Sequence, residues 1–183
     1  MPISAACQAA YRILRRVESG RDFAVDLLQS PRVSELKEAD RRLTTEIVMG
    51  TLRRRGQLDY WLEEHSGKKL GHFDPEVATI LRLGLYQLLF LERIPKSAAV
   101  NESVELVKAA RKGSAAGFVN AVLRKAGPLN EKTRGGKWGG KTATADAGRA
   151  LPDWLAERWV KHFGEEGMKS LAKASLQVPP TTL

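Results

Sequence analysis

The 183-residue sequence has little of several features that would point to particular classes of protein. It contains a single cysteine, Cys7, so no disulfide can form within the chain, which fits a reducing compartment. No apolar run is long enough to cross a bilayer, and the first 19 residues lack the apolar core of a signal peptide. These absences favour a cytoplasmic protein with no membrane partner.

The sequence also lacks the motifs of metal and catalytic sites. Its three histidines are widely separated and no cysteine cluster accompanies them, so we expect no metal site. Neither G-x-S-x-G nor a G-x-G-x-x-G after a predicted strand occurs. We therefore predict that this chain contains no catalytic residue and no cofactor.

One stretch, residues 135–142, formally fits the phosphate-binding pattern G-x-x-x-x-G-K-[ST]. Such a loop needs a buried strand before it and a helix N-terminus after it. The flanking residues are polar or small and predict neither element. We interpret residues 129–150, which are rich in glycine and lysine, as a linker or surface loop.

Acidic residues are fewer than basic ones. The chain has 30 Lys and Arg against 21 Asp and Glu, a formal charge of +9, and the excess is concentrated in residues 93–150. This balance favours a polyanionic partner, with nucleic acid ahead of a membrane surface. A solvated basic face without a partner is the alternative interpretation.

The most apolar stretch is residues 77–91, V-A-T-I-L-R-L-G-L-Y-Q-L-L-F-L. Its apolar residues cover nearly every side of a helix, a pattern typical of a helix buried on all sides. Asp74 and Pro75 precede it as a cap and a preset first turn. Gly84 weakens the helix by about 1 kcal/mol relative to alanine, which favours close packing of a neighbouring helix at this point.

Helical periodicity also predicts the other elements of residues 1–128. With the central helix we expect about seven helices and no strand, an all-α bundle. Residues 151–183 are predicted to form a helical tail of one or two helices interrupted at Gly164. The helices expected around residues 77–91 cover residues 3–18, 23–29, 40–55 (capped at Asp40 and broken at Gly56), 58–65, 98–111 and 114–125.

Three segments resemble a known family. The stretches N-E-S-V-E-L-V-K (residues 101–108) and F-V-N-A-V-L-R (residues 118–124) resemble the paired closing helices of the NusB family, and L-R-L-G-L-Y-Q-L-L-F resembles its central helix. The tail, L-P-D-W-L with the later P-P-T-T-L, is similar to the segment that follows the NusB-like domain in the Sun/Fmu family of 16S rRNA cytosine-C5 methyltransferases.

The resemblance implies an RNA-binding N-terminal domain that positions 16S rRNA for a downstream methyltransferase domain of the same protein, with no role in DNA binding. S-adenosylmethionine is then expected for the full-length protein. Phosphate contacts would come from basic side chains, and Asn120 would contact a base or the RNA backbone or else bond buried backbone. The RNA-binding candidates are Arg12, Arg15, Arg16, Arg53, Arg54, Arg55, Lys108, Arg111, Lys112, Asn120 and Arg124.

Two other functions fit the same residues. The first is a free-standing NusB-type transcription antitermination factor that binds RNA together with a ribosomal-protein partner. The second is a protein-docking module whose basic surface is incidental. The tail after residue 150 favours the methyltransferase interpretation over the free-standing factor.

Overall fold

The computed structural model describes residues 2–126 and 151–177, and every regular element in these two ranges is helical. The predicted all-α class is thus confirmed. Single turns of 3-10 helix lie at Leu70–His72 and Gly113–Ala115. The α-helices are α1 Ala5–Glu18, α2 Ala24–Leu28, α3 Pro31–Ser34, α4 Glu38–Arg53, α5 Arg55–Ser66, α6 Pro75–Phe90, α7 Lys96–Ala109, α8 Ala116–Ala126 and α9 Asp153–Ser175.

Helix α6 is the centre of the bundle. Every residue from Val77 to Leu89 is buried, because α1, α4, α5, α7 and α8 all contact this helix. Pro75 occupies the first turn, as predicted. The close approach expected at Gly84 is also present, since a Cβ there would overlap Ser103 Oγ of α7 and lie 2.8 Å from Leu123 Cδ1 of α8.

The other helices form two groups on either side of α6. Helices α1, α2 and α4 contact one another, and α7 contacts α8. Helix α5 bridges the groups through contacts with α4, α6 and α8. One continuous hydrophobic cluster runs through both groups, from Cys7 in α1 to Ala126 in α8, and it includes no described residue of α9.

Three expectations for the first half of the chain were wrong in detail. The four-residue helix α3 was not predicted, and its one buried residue is Val33. Helix α4 begins at Glu38, so Asp40 lies in its first turn instead of capping it. The break between α4 and α5 falls at Arg54 (φ −104°, ψ 12°), while Gly56 lies inside α5.

The tail contains the predicted helix with an interruption. Helix α9 departs from helical geometry at Gly164, whose φ of 70° suits a residue without a Cβ. Trp154 and Phe163 of α9 are exposed. The predicted linker at residues 129–150, the phosphate-loop pattern at 135–142 and the proline pair at 179–180 all lie outside the described residues. None of the helices in the described ranges is both long enough and apolar enough to span a membrane.

Candidate nucleic-acid interface

A buried ion-pair network joins α1, α5 and α6. Arg82 of α6 is almost fully buried and donates through Nη1 to Glu18 Oε1 at 2.6 Å. Its Nε and Nη2 donate to the two carboxylate oxygens of Asp59, the second at 3.1 Å. Glu18 also accepts a hydrogen bond from Thr79. Burial raises the pKa of Asp59, and the hydrogen bonds and charge of Arg82 oppose that rise.

Three of the predicted RNA-binding residues lie beside carboxylates near the N-terminal half of α6, and two of them, Arg15 and Arg55, contact the network itself. Arg15 contacts Glu18 at 3.3 Å and Glu76 at 3.1 Å. Arg55 lies 3.8 Å from Asp59, and Lys112 Nζ lies 3.2 Å from Asp74, the residue before α6. Each of these cations is therefore already paired with a carboxylate, which lowers the net positive potential that it offers to a phosphate.

Arg54 is occupied by packing. Its guanidinium carbon lies 4.2 Å from the centre of the Phe90 ring, and Nη1 donates to Gln57 Oε1 at 3.1 Å. Burial lowers the pKa of Arg54, with the neighbouring Arg53 acting in the same direction. The contact joins the α4–α5 junction to the end of α6, so Arg54 has a structural role in addition to any role in binding.

The α8 candidates form a surface pair that is separate from the network. Arg124 Nε donates to Asn120 Oδ1 at 3.0 Å, one helical turn away. Arg124 also lines a groove of about 320 Å³ with Leu88 and Asn101, beside the start of α7. Asn120 is half-buried and its amide oxygen accepts from a side chain, so the described contacts do not give it a role in bonding buried backbone.

The remaining candidates are dispersed over the surface. Arg111 is exposed and ends α7 in the left-handed conformation, with φ at 59°. Lys108 is exposed and pairs with Glu105 at 2.7 Å. Arg53 is half-buried at the end of α4.

Arg12 and Arg16 of α1 face a different feature, a groove of about 150 Å³ between α1 and the α2–α3 segment. Arg32 of α3 lines the same groove and was not among the predicted residues. Arg32 could have been found only by predicting the short helix after Pro31. That helix has one buried apolar residue, Val33, and a single residue shows no periodicity from which a helix could be predicted.

No metal or methyl-donor site is visible in the described residues. No cluster of three or more His, Cys, Asp or Glu side chains occurs there that could hold a metal ion. The same residues contain no strand, whereas nucleotide cofactors of the Rossmann type bind where a strand turns into a helix. We therefore assign no described residue to S-adenosylmethionine and no step in methyl transfer.

A helical core with a fully buried central helix and basic side chains at its surface defines the class of small all-α modules. Within that class, the chain belongs to the NusB family, whose model matches residues 4–127.

The curated relatives that the chain matches are longer proteins. It is 34% identical over 181 residues to the probable ribosomal RNA small subunit methyltransferase B of Synechocystis, which covers 97% of this chain and 40% of the relative. The Bacillus subtilis protein of the same name is also 34% identical over 181 residues, covering 95% of this chain and 39% of the relative. The chain thus spans about two fifths of the length of these proteins.

Solved structures agree with the fold. NusB from T. maritima superposes with a TM-score of 0.61 at 20% identity, covering 70% of this chain and 92% of that one. A crystal structure of the antitermination factors NusB and NusE in complex with dsRNA gives a TM-score of 0.60 at 23% identity, covering 68% of this chain and 94% of that one. At these identities the likeness establishes the fold alone.

Proposed function

We propose that this chain is the RNA-binding N-terminal domain of an S-adenosylmethionine-dependent 16S rRNA cytosine-C5 methyltransferase. In this role it positions rRNA for a catalytic domain that lies outside residues 1–183. S-adenosylmethionine is the methyl donor of the full-length protein and binds to that other domain.

One observation carries the proposal. The methyltransferase relatives align over 95–97% of the chain, including the tail after residue 127, whereas the NusB structures cover only about 70% of it. If this chain were a free-standing antitermination factor, there would be no reason for the residues after 127 to align with these methyltransferases. The extent of the alignment therefore favours the methyltransferase over that alternative.

Basic side chains that are exposed and have no carboxylate partner supply the phosphate contacts in this proposal. Arg12 and Arg111 are both exposed, and neither forms an ion pair within the described residues. Arg15, Arg55 and Lys112 contribute less, because their carboxylate partners already neutralise part of their charge.

The test is equilibrium binding of the 183-residue chain to 16S rRNA fragments at several salt concentrations. We expect the logarithm of the association constant to fall linearly with the logarithm of salt concentration, because bound phosphates release counterions. Replacing both Arg12 and Arg111 by Gln should make the slope shallower, by about 0.7 for each single-strand phosphate that the variant no longer neutralises.

Arg158→Gln is the matched control, since Arg158 is an exposed arginine of α9 that is not among the candidates. It should leave both affinity and slope unchanged. Absence of any RNA binding at low salt would overturn the proposed function and favour the protein-docking module.

A further inference from the structure

The groove between α1 and the α2–α3 segment combines an apolar floor with a cationic rim. Ala9 and Ile13 of α1, with Leu27 and Val33 from the opposite side, form the floor. Small alanine side chains on α1 leave the space open. At about 150 Å³ the volume suits a small planar group rather than a whole helix.

The rim is cationic, and no carboxylate of the described residues lines it. Arg12, Arg16 and Arg32 line the groove, whereas no Asp or Glu in that part of the chain does so. Two other surface grooves differ, since the one between α2 and α4 includes Glu46 and the one on α5 includes Glu63 and Glu64. The groove at Arg124 also lacks a carboxylate, but two cationic side chains line it instead of three. Charge complementarity therefore selects an anionic ligand for the α1–α3 groove.

The three arginines are not equivalent. Asp22 holds Arg16 through two hydrogen bonds of 2.9 and 2.8 Å, which fixes the guanidinium plane and neutralises its charge. Arg12 has only a long 3.5 Å contact with Gln8, and Arg32 is exposed without an ion-pair partner in the described part of the chain. Two guanidinium groups thus remain for an anion.

A nucleotide matches both the apolar floor and the cationic rim of this groove. Unpaired bases bind to apolar side chains and stack on guanidinium planes, and guanidinium groups bind phosphate in a bidentate manner. A base inside a duplex is stacked and paired and could not reach the floor of a groove this small.

We propose that the α1–α3 groove binds one unpaired RNA nucleotide, with its base on the floor at Ala9 and Ile13 and its phosphate against Arg12 and Arg32. This proposal rests on the proposed function and adds that the RNA is recognised partly through a single-stranded position.

The first experiment fills the groove without changing charge. Ala9→Leu keeps a strong helix former in α1 and should lower the affinity of the 183-residue chain for a single-stranded RNA of about 12 nucleotides by about tenfold. Its salt slope should not change, and its affinity for the same RNA in a duplex should stay within about twofold of the wild type. Ala174→Leu, at an exposed site of α9 outside the groove, is the matched control and should change neither affinity.

The second experiment removes charge without changing the floor. Arg32→Gln should reduce the salt slope for the single strand by about 0.7, and Arg158→Gln should not. This variant keeps the proposal testable if Ala9→Leu fails to fold, which circular dichroism would reveal.

The outcomes separate the two proposals. If the wild-type chain binds no RNA, the proposed function fails. If it binds RNA but Ala9→Leu is folded and binds the single strand as well as the wild type does, the groove proposal alone fails. It also fails if a peptide of alternating Leu and Glu binds the wild type but not Ala9→Leu, while RNA affinity is the same for both.

Discussion

Arg82 shows how one charged residue can be accommodated in an otherwise apolar helix. Its side chain is 5% exposed, and three of its nitrogen atoms donate to Glu18 and Asp59. The network fixes the end of α1 and the first turns of α5 against α6. Because both carboxylates are themselves largely buried, loss of the arginine would leave them poorly solvated, each with one remaining and more exposed cation, Arg15 or Arg55.

We therefore expect Arg82→Met to lower the free energy of unfolding by about 3 kcal/mol, measured by urea denaturation. Arg82→Lys keeps the charge but loses the bidentate geometry, so its loss should be smaller. The control is Arg42→Met, which removes an exposed pair with Glu38 within α4 and should change stability by less than about 0.5 kcal/mol. Equal effects at the two sites would contradict a structural role for the network.

Cys7 makes stability depend on pH in the alkaline range. The thiol is 1% exposed, and burial, with Glu102 nearby, raises its pKa well above the ordinary value of 9.0. The unfolded chain can then lose the thiol proton above about pH 9 while the folded chain keeps it. The contribution of Cys7 is therefore fully present below about pH 9 and is lost as the pH rises further.

Urea titrations of the wild type and of Cys7→Ala between about pH 8 and pH 11 test this prediction, with reducing agent present. Below about pH 8.5 the two proteins should show a constant difference in stability. Above about pH 9 the wild type should lose stability relative to Cys7→Ala by up to about 1.4 kcal/mol per pH unit. Parallel curves over the whole range would show that the thiol ionises equally well in the folded state.

At the scale of the element, Gly84 sets the distance between α6 and its neighbours. Only a residue without a Cβ allows Ser103 and Leu123 to approach the α6 backbone as closely as they do. Both side chains are buried, so neither can move aside into solvent. Glycine lowers the intrinsic stability of α6, and the close packing that it permits at two helix interfaces compensates for this loss.

Gly84→Ala should consequently destabilise the protein by about 1–3 kcal/mol despite the better helix propensity of alanine. Gly117→Ala is the matched control, because Gly117 also lies in a helix, α8, but a Cβ there would meet nothing within 4 Å. That variant should be neutral or more stable by up to about 1 kcal/mol. Thermal unfolding of both variants measures the contrast, and a stabilised Gly84→Ala would refute the packing argument.

The end of α7 contains an arginine where glycine is usual. The Lys112 amide donates to Val107 O and the Arg111 amide to Lys108 O, both at 3.0 Å, which is the Schellman pattern with Arg111 in the left-handed position. A side chain in that conformation costs about 1 kcal/mol.

Arg111→Gly should therefore raise the free energy of unfolding by about 1 kcal/mol, and Arg111→Ala should not, because alanine retains the strained Cβ. Both variants remove the same charge, so both should show the same decrease in RNA affinity if Arg111 contacts phosphate. The pair thus separates backbone strain from binding, and equal stabilities of the two variants would argue against strain at this residue.

The sequence predicted the elements whose signal is local and missed those that depend on distant neighbours. Helix α6 was recognisable because apolar residues occur on all its sides. The α4–α5 junction was placed at Gly56, but it falls at Arg54, whose side chain packs on the distant Phe90 at the end of α6. Likewise, Arg82 was visible as a break in an apolar run, but its partners Glu18 and Asp59 could be identified only from the fold.

For the candidate surface, the sequence indicated which residues are basic but not which of them are paired with a carboxylate. Arg12, Arg15 and Arg16 look equivalent in α1, yet Arg15 is tied to Glu18 and Glu76, Arg16 to Asp22, and Arg12 to no carboxylate of the described residues. Periodicity assigns a side of a helix but not the ion pair that a side chain forms there.

At the scale of the whole molecule, the core and the tail are built differently. The hydrophobic cluster contains residues of α1 to α8, the last of which is Ala126. Helix α9, in contrast, exposes Trp154, Phe163 and Leu171. The stability of the bundle should therefore be independent of the tail, since stability follows the apolar area removed from water.

A chain truncated after residue 128 tests this independence. It should fold cooperatively, with a melting temperature within about 4 °C of the 183-residue chain, a shift that corresponds to less than about 1 kcal/mol for a domain of this size. Its far-ultraviolet circular dichroism should lose the contribution of α9 and keep that of α1 to α8. Because residues 129–150 add positive charge, truncation should weaken RNA binding mainly at low salt. A large decrease in stability would instead mean that the tail packs on the bundle and that residues 1–128 do not form a domain on their own.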